Sequence, residues 1–181
     1  MKLAVFIERD GVLNHVRSER QVQITPLSLS EFHLKLDAVL PLRRLQAAGF
    51  VVLATTNQPG LSRGYQSRRD LDLMHELMRG KLGLDGILVC PHDETDRCPC
   101  RKPKPGLLTE AAFTWHFDLD HSFVISDKWL DADAARQVGC TSLMIRSQWI
   151  GQVHHDFVVP SLEAAVEKLL HLHTQQFMLT H

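Results

Sequence analysis

Residues 6–14 read Phe-Ile-Glu-Arg-Asp-Gly-Val-Leu-Asn, an apolar run that breaks into two acids one residue apart and then a glycine. Carboxylates at that spacing, at the carboxyl end of a buried strand, suit a site that holds Mg²⁺ and a phosphate. One acid, Glu8, would attack phosphorus, and the next but one, Asp10, would protonate the leaving oxygen. Two other segments carry groups of the same chemistry. Thr56-Asn57-Gln58-Pro59-Gly60-Leu61-Ser62-Arg63-Gly64 holds a hydroxyl, two amides and glycines that can present donors to a phosphoryl group. The same residues also read as a plain polar turn. Ser126-Asp127-Lys128-Trp129-Leu130-Asp131 places two acids four apart with a lysine between them. A hard divalent cation wants carboxylate oxygen, and Mg²⁺ takes only about one or two from protein. Its alternative is an N-capping Asp127 and a surface Lys128 at a helix start.

Cys90-Pro91-His92 and Cys98-Pro99-Cys100 flank a five-residue gap. Three cysteines and one histidine at this spacing match a closed, tetrahedral Cys₃His zinc site, against the alternative of reduced buried thiols. Zinc would order a loop with no other evident means of holding its shape. Asp93, Glu94 and Asp96 read as solvated loop charges, and Cys140 as a core thiol. Arg101-Lys102-Pro103-Lys104-Pro105-Gly106 follows directly, a cationic stretch stiffened by two prolines that suits either a phosphate or a basic surface loop. Met74, Met78, Phe113 and Trp115 read as core. His154, His155, His171, His173 and His181 fall in loop and tail positions and read as incidental.

Positioning these groups requires a βα alternation. Apolar runs without helical period predict strands at 3–7, 51–55, 86–90, 122–126 and 141–145. Helices are expected at 37–48, 67–82, 106–116, 130–138 and 160–173. The first would be capped by Asp37 and stopped by Gly49; the second opens at Ser67 with an apolar stripe of Leu71, Met74, Leu77 and Met78. Continuous apolar strands between helices imply an α/β fold, a Rossmann-like parallel sheet with helices on both faces. Such sheets bind ligands beyond the carboxyl ends of their strands, where every motif above lies. At 181 residues, with a net charge of −1, the chain reads as one domain over 1–175 with a flexible tail at 176–181. The charge balance argues against nucleic acid or anionic membrane as partner. With no secretory signal or membrane-length apolar run, a cytoplasmic protein is expected, as a monomer or small homo-oligomer.

In combination, the acid-Arg-Asp-Gly start, Thr-Asn-Gln with Gly-x-x-Arg-Gly, Cys-Pro-His then Cys-x-Cys-Arg-Lys-Pro, and Asp-Lys-x-x-Asp resemble the haloacid dehalogenase superfamily. More narrowly, they resemble its zinc-containing, cap-less branch of heptose 1,7-bisphosphate and histidinol-phosphate phosphatases. The resemblance implies a phosphatase without a large cap domain, its site open and partly walled by the zinc-binding loop. It puts Glu8 at the nucleophile position and Asp10 at the acid/base position, with Thr56 and Lys102 stabilising the transferring phosphoryl group. Asn57, Arg101 and Lys128 would serve substrate binding. Glu8, the Asp10 carbonyl and Asp127 would hold Mg²⁺, braced by Lys128 and Asp131; Cys90, His92, Cys98 and Cys100 would hold Zn²⁺.

Two residues depart from the family pattern. Ser126 stands where the family has glycine, and Glu8 stands where it has aspartate. The added methylene moves the carboxylate outward by about 1.5 Å, and a displacement near 1 Å can cost on the order of 100-fold in rate where in-line geometry matters. The sequence therefore leaves three readings. The first is a phosphatase acting on a sugar bisphosphate such as heptose 1,7-bisphosphate, or on histidinol phosphate. The second is a catalytically weak phosphate-binding or regulatory protein. The third, a zinc-ribbon nucleic-acid module, is disfavoured by the net charge and the single short ligand loop.

Overall fold

The computed structural model describes residues 2–179, with side chains through Gln175. The elements run β1 (Ala4–Glu8), β2 (Arg17–Glu19), β3 (Val22–Ile24), α1 (Val39–Ala47), β4 (Val51–Asn57), α2 (Arg68–Leu82), β5 (Gly86–Cys90), α3 (Gly106–Trp115), β6 (Phe123–Ser126), α4 (Trp129–Gln137), β7 (Thr141–Ile145), β8 (Phe157–Val159) and α5 (Leu162–Leu179). Six strands form one parallel sheet in the order β5-β4-β1-β6-β7-β8. β1 lies at the centre, buried along its whole length, because its residues have apolar neighbours on both faces. On one face Val5 and Ile7 join Leu42 and Leu45 of α1, Met74 and Met78 of α2, and Val166 and Leu169 of α5. On the other, Ala4 and Phe6 meet Leu108 and Ala111 of α3 and Ala134 and Ala135 of α4. Each fully buried leucine or phenylalanine contributes about 1.5–3 kcal/mol.

Chain order reverses at β1, which has β4 on one side and β6 on the other. Glu8 therefore ends the central strand at the switch point where such sheets open a crevice. The loop of residues 91–105 reaches that crevice through Lys102, and the small antiparallel β2–β3 hairpin reaches it through Gln23; no large cap is inserted among the described residues. None of their helices is long and apolar enough to cross a membrane.

The predicted strands and helices are present, with instructive corrections. The hairpin and β8 are additions. The hairpin turn sets Arg20 and Gln21 at φ +48° and +64°, a conformation usually announced by Asn-Gly, so a polar Arg-Gln gave no signal. Asp37 does not cap α1: it lies inside a 3₁₀ turn (Leu36–Ala38), and the cap position is Ala38. Ser67 does cap α2, accepting a hydrogen bond from the Asp70 amide at 3.0 Å. The buried stripe of α2 takes His75 rather than Leu77, which is 36% exposed. Phe113 is 85% exposed rather than core. Trp115 packs on Phe117 and the α3 face as expected, and Cys140 is buried in the same cluster. His171 and His173 lie on α5 rather than in a tail, and His173 stacks edge-on against Phe50 at 4.8 Å. His181 lies outside the described residues. Of the proposed tail, 176–181, only the helical backbone to Leu179 is described.

Candidate active site

Glu8 leaves β1 with both carboxylate oxygens engaged. Oε1 accepts from the Asp10 amide at 2.9 Å, so the side chain folds back on its own loop. Oε2 meets the Lys102 ammonium directly. Lys102 also donates to Asp131 Oδ1 at 2.7 Å, and one buried cation thereby serves two buried carboxylates. Burial opposes the Glu8 charge, but Lys102 and Lys128 outweigh it and hold this carboxyl below its usual value. Lys102 is likewise held above its usual value, because Asp131 and Glu8 outweigh its burial. Asp131 has the worst of this arrangement: burial and the Glu8 charge push it up to about 6 despite Lys102. Ser126, the serine in place of glycine, supplies a hydrogen bond from Oγ to Asp131 Oδ2 at 2.8 Å and accepts from the Lys128 amide.

Lys102 reaches the end of β1 through Asn57. The Asn57 side chain accepts from the Lys102 amide and donates to the Lys102 carbonyl, both at 3.2 Å. The end of β4 is thus clamped to the zinc-binding loop. The cationic stretch does not act as a block: Lys104 donates to the carbonyls of Arg97 and Cys98, and Arg101 donates to the His92 carbonyl.

Asp10 turns its carboxylate the other way, into a cage of donors. Arg9 contributes Nη2 at 2.9 Å and Nε at 3.2 Å, Thr56 Oγ1 and Gln58 Nε2 donate at 2.9 Å, and Asn14 Nδ2 at 3.2 Å. Burial opposes the charge, but Arg9 and these hydrogen bonds hold the Asp10 carboxyl below its usual value. Arg9 is itself completely buried. Its third nitrogen, Nη1, lies 3.2 Å from His75 Nε2, and its guanidinium stands over the Phe32 ring. Burial and the adjacent Arg9 lower the His75 pKa to about 4, so the imidazole is neutral and Nε2 accepts.

The oxygens expected to hold a divalent cation converge. Lys128 Nζ sits against the Asp10 carbonyl and Asp127 Oδ1, the latter at 2.6 Å; burial opposes its charge, but Glu8 and Asp127 outweigh it and raise its pKa. A positive charge already rests on hard oxygens, so the donor set fits Mg²⁺ in place of the ammonium. Gln23 Nε2, from the hairpin, holds the other Asp127 oxygen at 2.9 Å. Asp127 is buried and does not cap α4, whose cap position is Lys128. Gly11, at φ +94°, must remain glycine: a Cβ there would stand 2.6 Å from Asp127 Oδ2.

In the neighbouring loop, ligand atoms of Cys90, His92, Cys98 and Cys100 all lie within 4.8 Å of one another. Cys90–Cys98 and Cys98–Cys100 sulfurs are 3.6 Å apart, and His92 Nδ1 is 3.7 and 3.3 Å from Cys90 and Cys100. A tetrahedral zinc with arms of about 2.0–2.3 Å needs edges of about 3.5–3.8 Å; three of these four separations fall in that range and the fourth is slightly shorter, so the cluster could hold the ion. Asp93 is not merely solvated: it caps the turn Glu94–Asp96 and is gripped by Arg63.

A family model described as HAD-hydrolase-like matches residues 99–165. A D-glycero-beta-D-manno-heptose-1,7-bisphosphate 7-phosphatase from Pseudomonas aeruginosa is 33% identical over 150 residues, covering 79% of this chain and 80% of the relative. A phosphatase of the same name from Rhodopseudomonas palustris is 30% identical, covering 90% and 94%. This chain belongs to the haloacid dehalogenase-like family, in its heptose-bisphosphate phosphatase branch. The crystal structure of the D,D-heptose 1,7-bisphosphate phosphatase from B. bronchiseptica, complexed with magnesium and phosphate, superposes with a TM-score of 0.80 at 30% identity. It covers 95% of this chain and 99% of that one.

Among site residues, Arg9, Gln23 and His75 were not singled out from the sequence, whereas Gln58, one of the two amides expected to donate to a phosphoryl group, donates to Asp10 instead. Arg9 and His75 left a trace there: a guanidinium at a buried strand end needs a partner, and His75 interrupts an apolar helical stripe. Gln23 left none, because it arrives on the unforeseen hairpin. His75 makes a checkable contribution to stability. Its folded pKa lies below the unfolded value, so the unfolded chain binds more protons and stability falls as pH drops from 6.5 towards 4, by on the order of 3 kcal/mol. Melting temperature against pH should lose that slope in His75→Gln, which keeps an acceptor near Arg9; an unchanged slope would refute the assignment.

Proposed function

We propose that this protein is a Mg²⁺-dependent phosphomonoester hydrolase that forms an acyl phosphate on Glu8 and acts on a sugar bisphosphate of the heptose 1,7-bisphosphate kind. The observation that carries this reading is the convergence of Glu8, Lys102, Asp127 and the Asp10 carbonyl at the switch point of a sheet that superposes on a phosphatase with magnesium and phosphate bound. The sugar is taken from the named activity of the relatives. None of the four cysteines is in a disulfide, which suits a cytoplasmic enzyme.

Mg²⁺, held by Glu8, the Asp10 carbonyl and Asp127, would neutralise charge on the phosphoryl oxygens. The remaining steps belong to the chain. Lys128 withdraws from the cation position. Glu8 attacks phosphorus in line, and the ester oxygen departs with a proton from Asp10. Asp10 then takes a proton from the water that attacks the phosphoryl group, returning Glu8 and releasing phosphate. Lys102 offsets the equatorial charge throughout. The resting Asp10 is ionised and caged, which suits its second duty; its first requires a proton and release from Arg9, Thr56 and Gln58. Thr56 would turn from Asp10 to the phosphoryl group, and Arg101 would meet the remainder of the substrate.

A second reading, a phosphate-binding protein with weak turnover, is favoured by the fold-back of Glu8, whose oxygens are both committed to the Asp10 amide and Lys102. Phosphate release from a panel of sugar phosphates and histidinol phosphate separates the two. The longer side chain should harm chemistry more than binding. Glu8→Asp is expected to raise kcat by at least about 10-fold with a smaller change in KM. Robust wild-type turnover that falls in Glu8→Asp would make Glu8 an adapted nucleophile. Asp10→Asn should keep Mg²⁺ bound through its carbonyl yet slow turnover by about 10²–10⁴-fold, whereas Asp127→Ala should abolish the Mg²⁺ dependence; near-wild-type rates in Asp10→Asn on a poor leaving group would refute its role. Elemental analysis should find one zinc per chain, lost in Cys98→Ser together with phosphate affinity while the sheet stays folded. Protein purified without chelator and free of zinc would remove that site.

A further inference from the structure

Beside the proposed Mg²⁺ oxygens, a cavity of about 320 Å³ is lined by Gln23, Lys128, Trp129, Leu130, Gln148 and Trp149. The phosphoryl chemistry uses neither tryptophan. Trp129 is 39% exposed, so packing of the core does not account for it either. Both are nevertheless built in. The Trp129 amide donates to the Trp149 carbonyl at 2.9 Å, and the Trp149 amide donates to Ser147 Oγ, which itself donates to the Asp127 carbonyl. Trp149 Nε1 reaches across to the Gln21 carbonyl on the hairpin at 3.2 Å. Gly151, at φ +64°, lies close under Trp129: a Cβ there would stand 3.2 Å from Trp129 Cβ. Gln23 holds Asp127 with its nitrogen, while its Oε1 is buried without a partner among the described residues.

We propose that this cavity receives the sugar ring of the phosphorylated substrate, with Trp129 and Trp149 as its platform and Gln23 and Gln148 as hydroxyl partners. A sugar has an apolar C–H face and a rim of hydroxyls, which the rigid indole surfaces and the amide edges complement. Lys128 lines the cavity and touches the Asp10 carbonyl and Asp127, so a ring seated here adjoins the oxygens beside the proposed phosphoryl site. Histidinol would also offer a flat ring, but it carries an ammonium, and the lining contains Lys128 and no carboxylate. The inference rests on the proposed phosphoryl site at Glu8 and names the group attached to the phosphate.

Calorimetry on the intact, metal-loaded protein with D-glycero-D-manno-heptose 1-phosphate, with histidinol and with inorganic phosphate tests it without requiring turnover. Trp129→Ala should weaken heptose 1-phosphate by about 10-fold and inorganic phosphate by less than about twofold, with Trp129→Phe recovering most of the loss. Wild-type tryptophan emission should change with heptose 1-phosphate and not with phosphate. Parallel weakening of both ligands, tighter binding of histidinol, or no emission change in the wild type would each overturn the platform. Sugar binding that depends on Trp129 without phosphate release from any substrate would sink the enzymatic reading and leave the platform standing.

Discussion

The Lys102 ammonium, buried between Glu8 and Asp131, is the interaction on which the rest of the site depends. It joins the end of β1, the first turn of α4 and the loop after Cys100. A charge removed from water costs several kcal/mol unless it is paired and hydrogen-bonded, and breaking such a pair costs about 3–5 kcal/mol. Glu8 and Asp131 cannot both be buried as anions without Lys102, and Lys102 cannot be buried without them. The zinc-binding loop and the catalytic crevice are therefore coupled parts of one structure. Cys100 lies two residues before Lys102, and the Asn57 clamp transmits the position of the loop to the strand end.

Around that centre the two leading carboxylates are separated by environment. Glu8 faces Lys102 and the Asp10 amide, while the Asp10 carboxylate faces Arg9, Thr56 and Gln58. Both are held ionised by the cations beside them, Glu8 by Lys102 and Lys128 and Asp10 by Arg9; in the proposed mechanism that leaves charge for a divalent cation and requires Asp10 to gain a proton before the leaving group departs. Arg9 makes this division possible. With no solvent contact, it needs partners for all its nitrogens, and His75 serves as an acceptor only because burial beside the guanidinium keeps its imidazole neutral. Ser126 adds a hydrogen bond to Asp131 that a glycine could not, a feature of this chain at the point where it departs from the family pattern.

Much of this was legible in the residues. Apolar runs such as Ala4–Ile7 marked the strands because a parallel sheet is buried on both faces, and the paired Cys-x-His and Cys-x-Cys marked the four side chains that the fold gathers into a cluster able to hold zinc. Groups whose role depends on a distant partner were not legible. Asn57 and Thr56 are adjacent, yet alternation along β4 sends one to Lys102 and the other to Asp10. Lys104 and Lys102 share a cationic stretch, but only Lys102 enters the crevice. The hairpin that brings Gln23 to Asp127 has a turn without glycine, and the two tryptophans meet only because the loops after β6 and β7 are hydrogen-bonded to each other.

The central claim is that the metal-held loop delivers Lys102 to Glu8, so that zinc governs the phosphoryl site it does not touch. Phosphate release at saturating Mg²⁺, measured while zinc is withdrawn stepwise from folded protein, tests this most directly. Turnover should fall in proportion to zinc occupancy and return when zinc is restored, with the sheet's circular dichroism unchanged. Zinc-free, folded protein that turns over at the full rate would contradict the account.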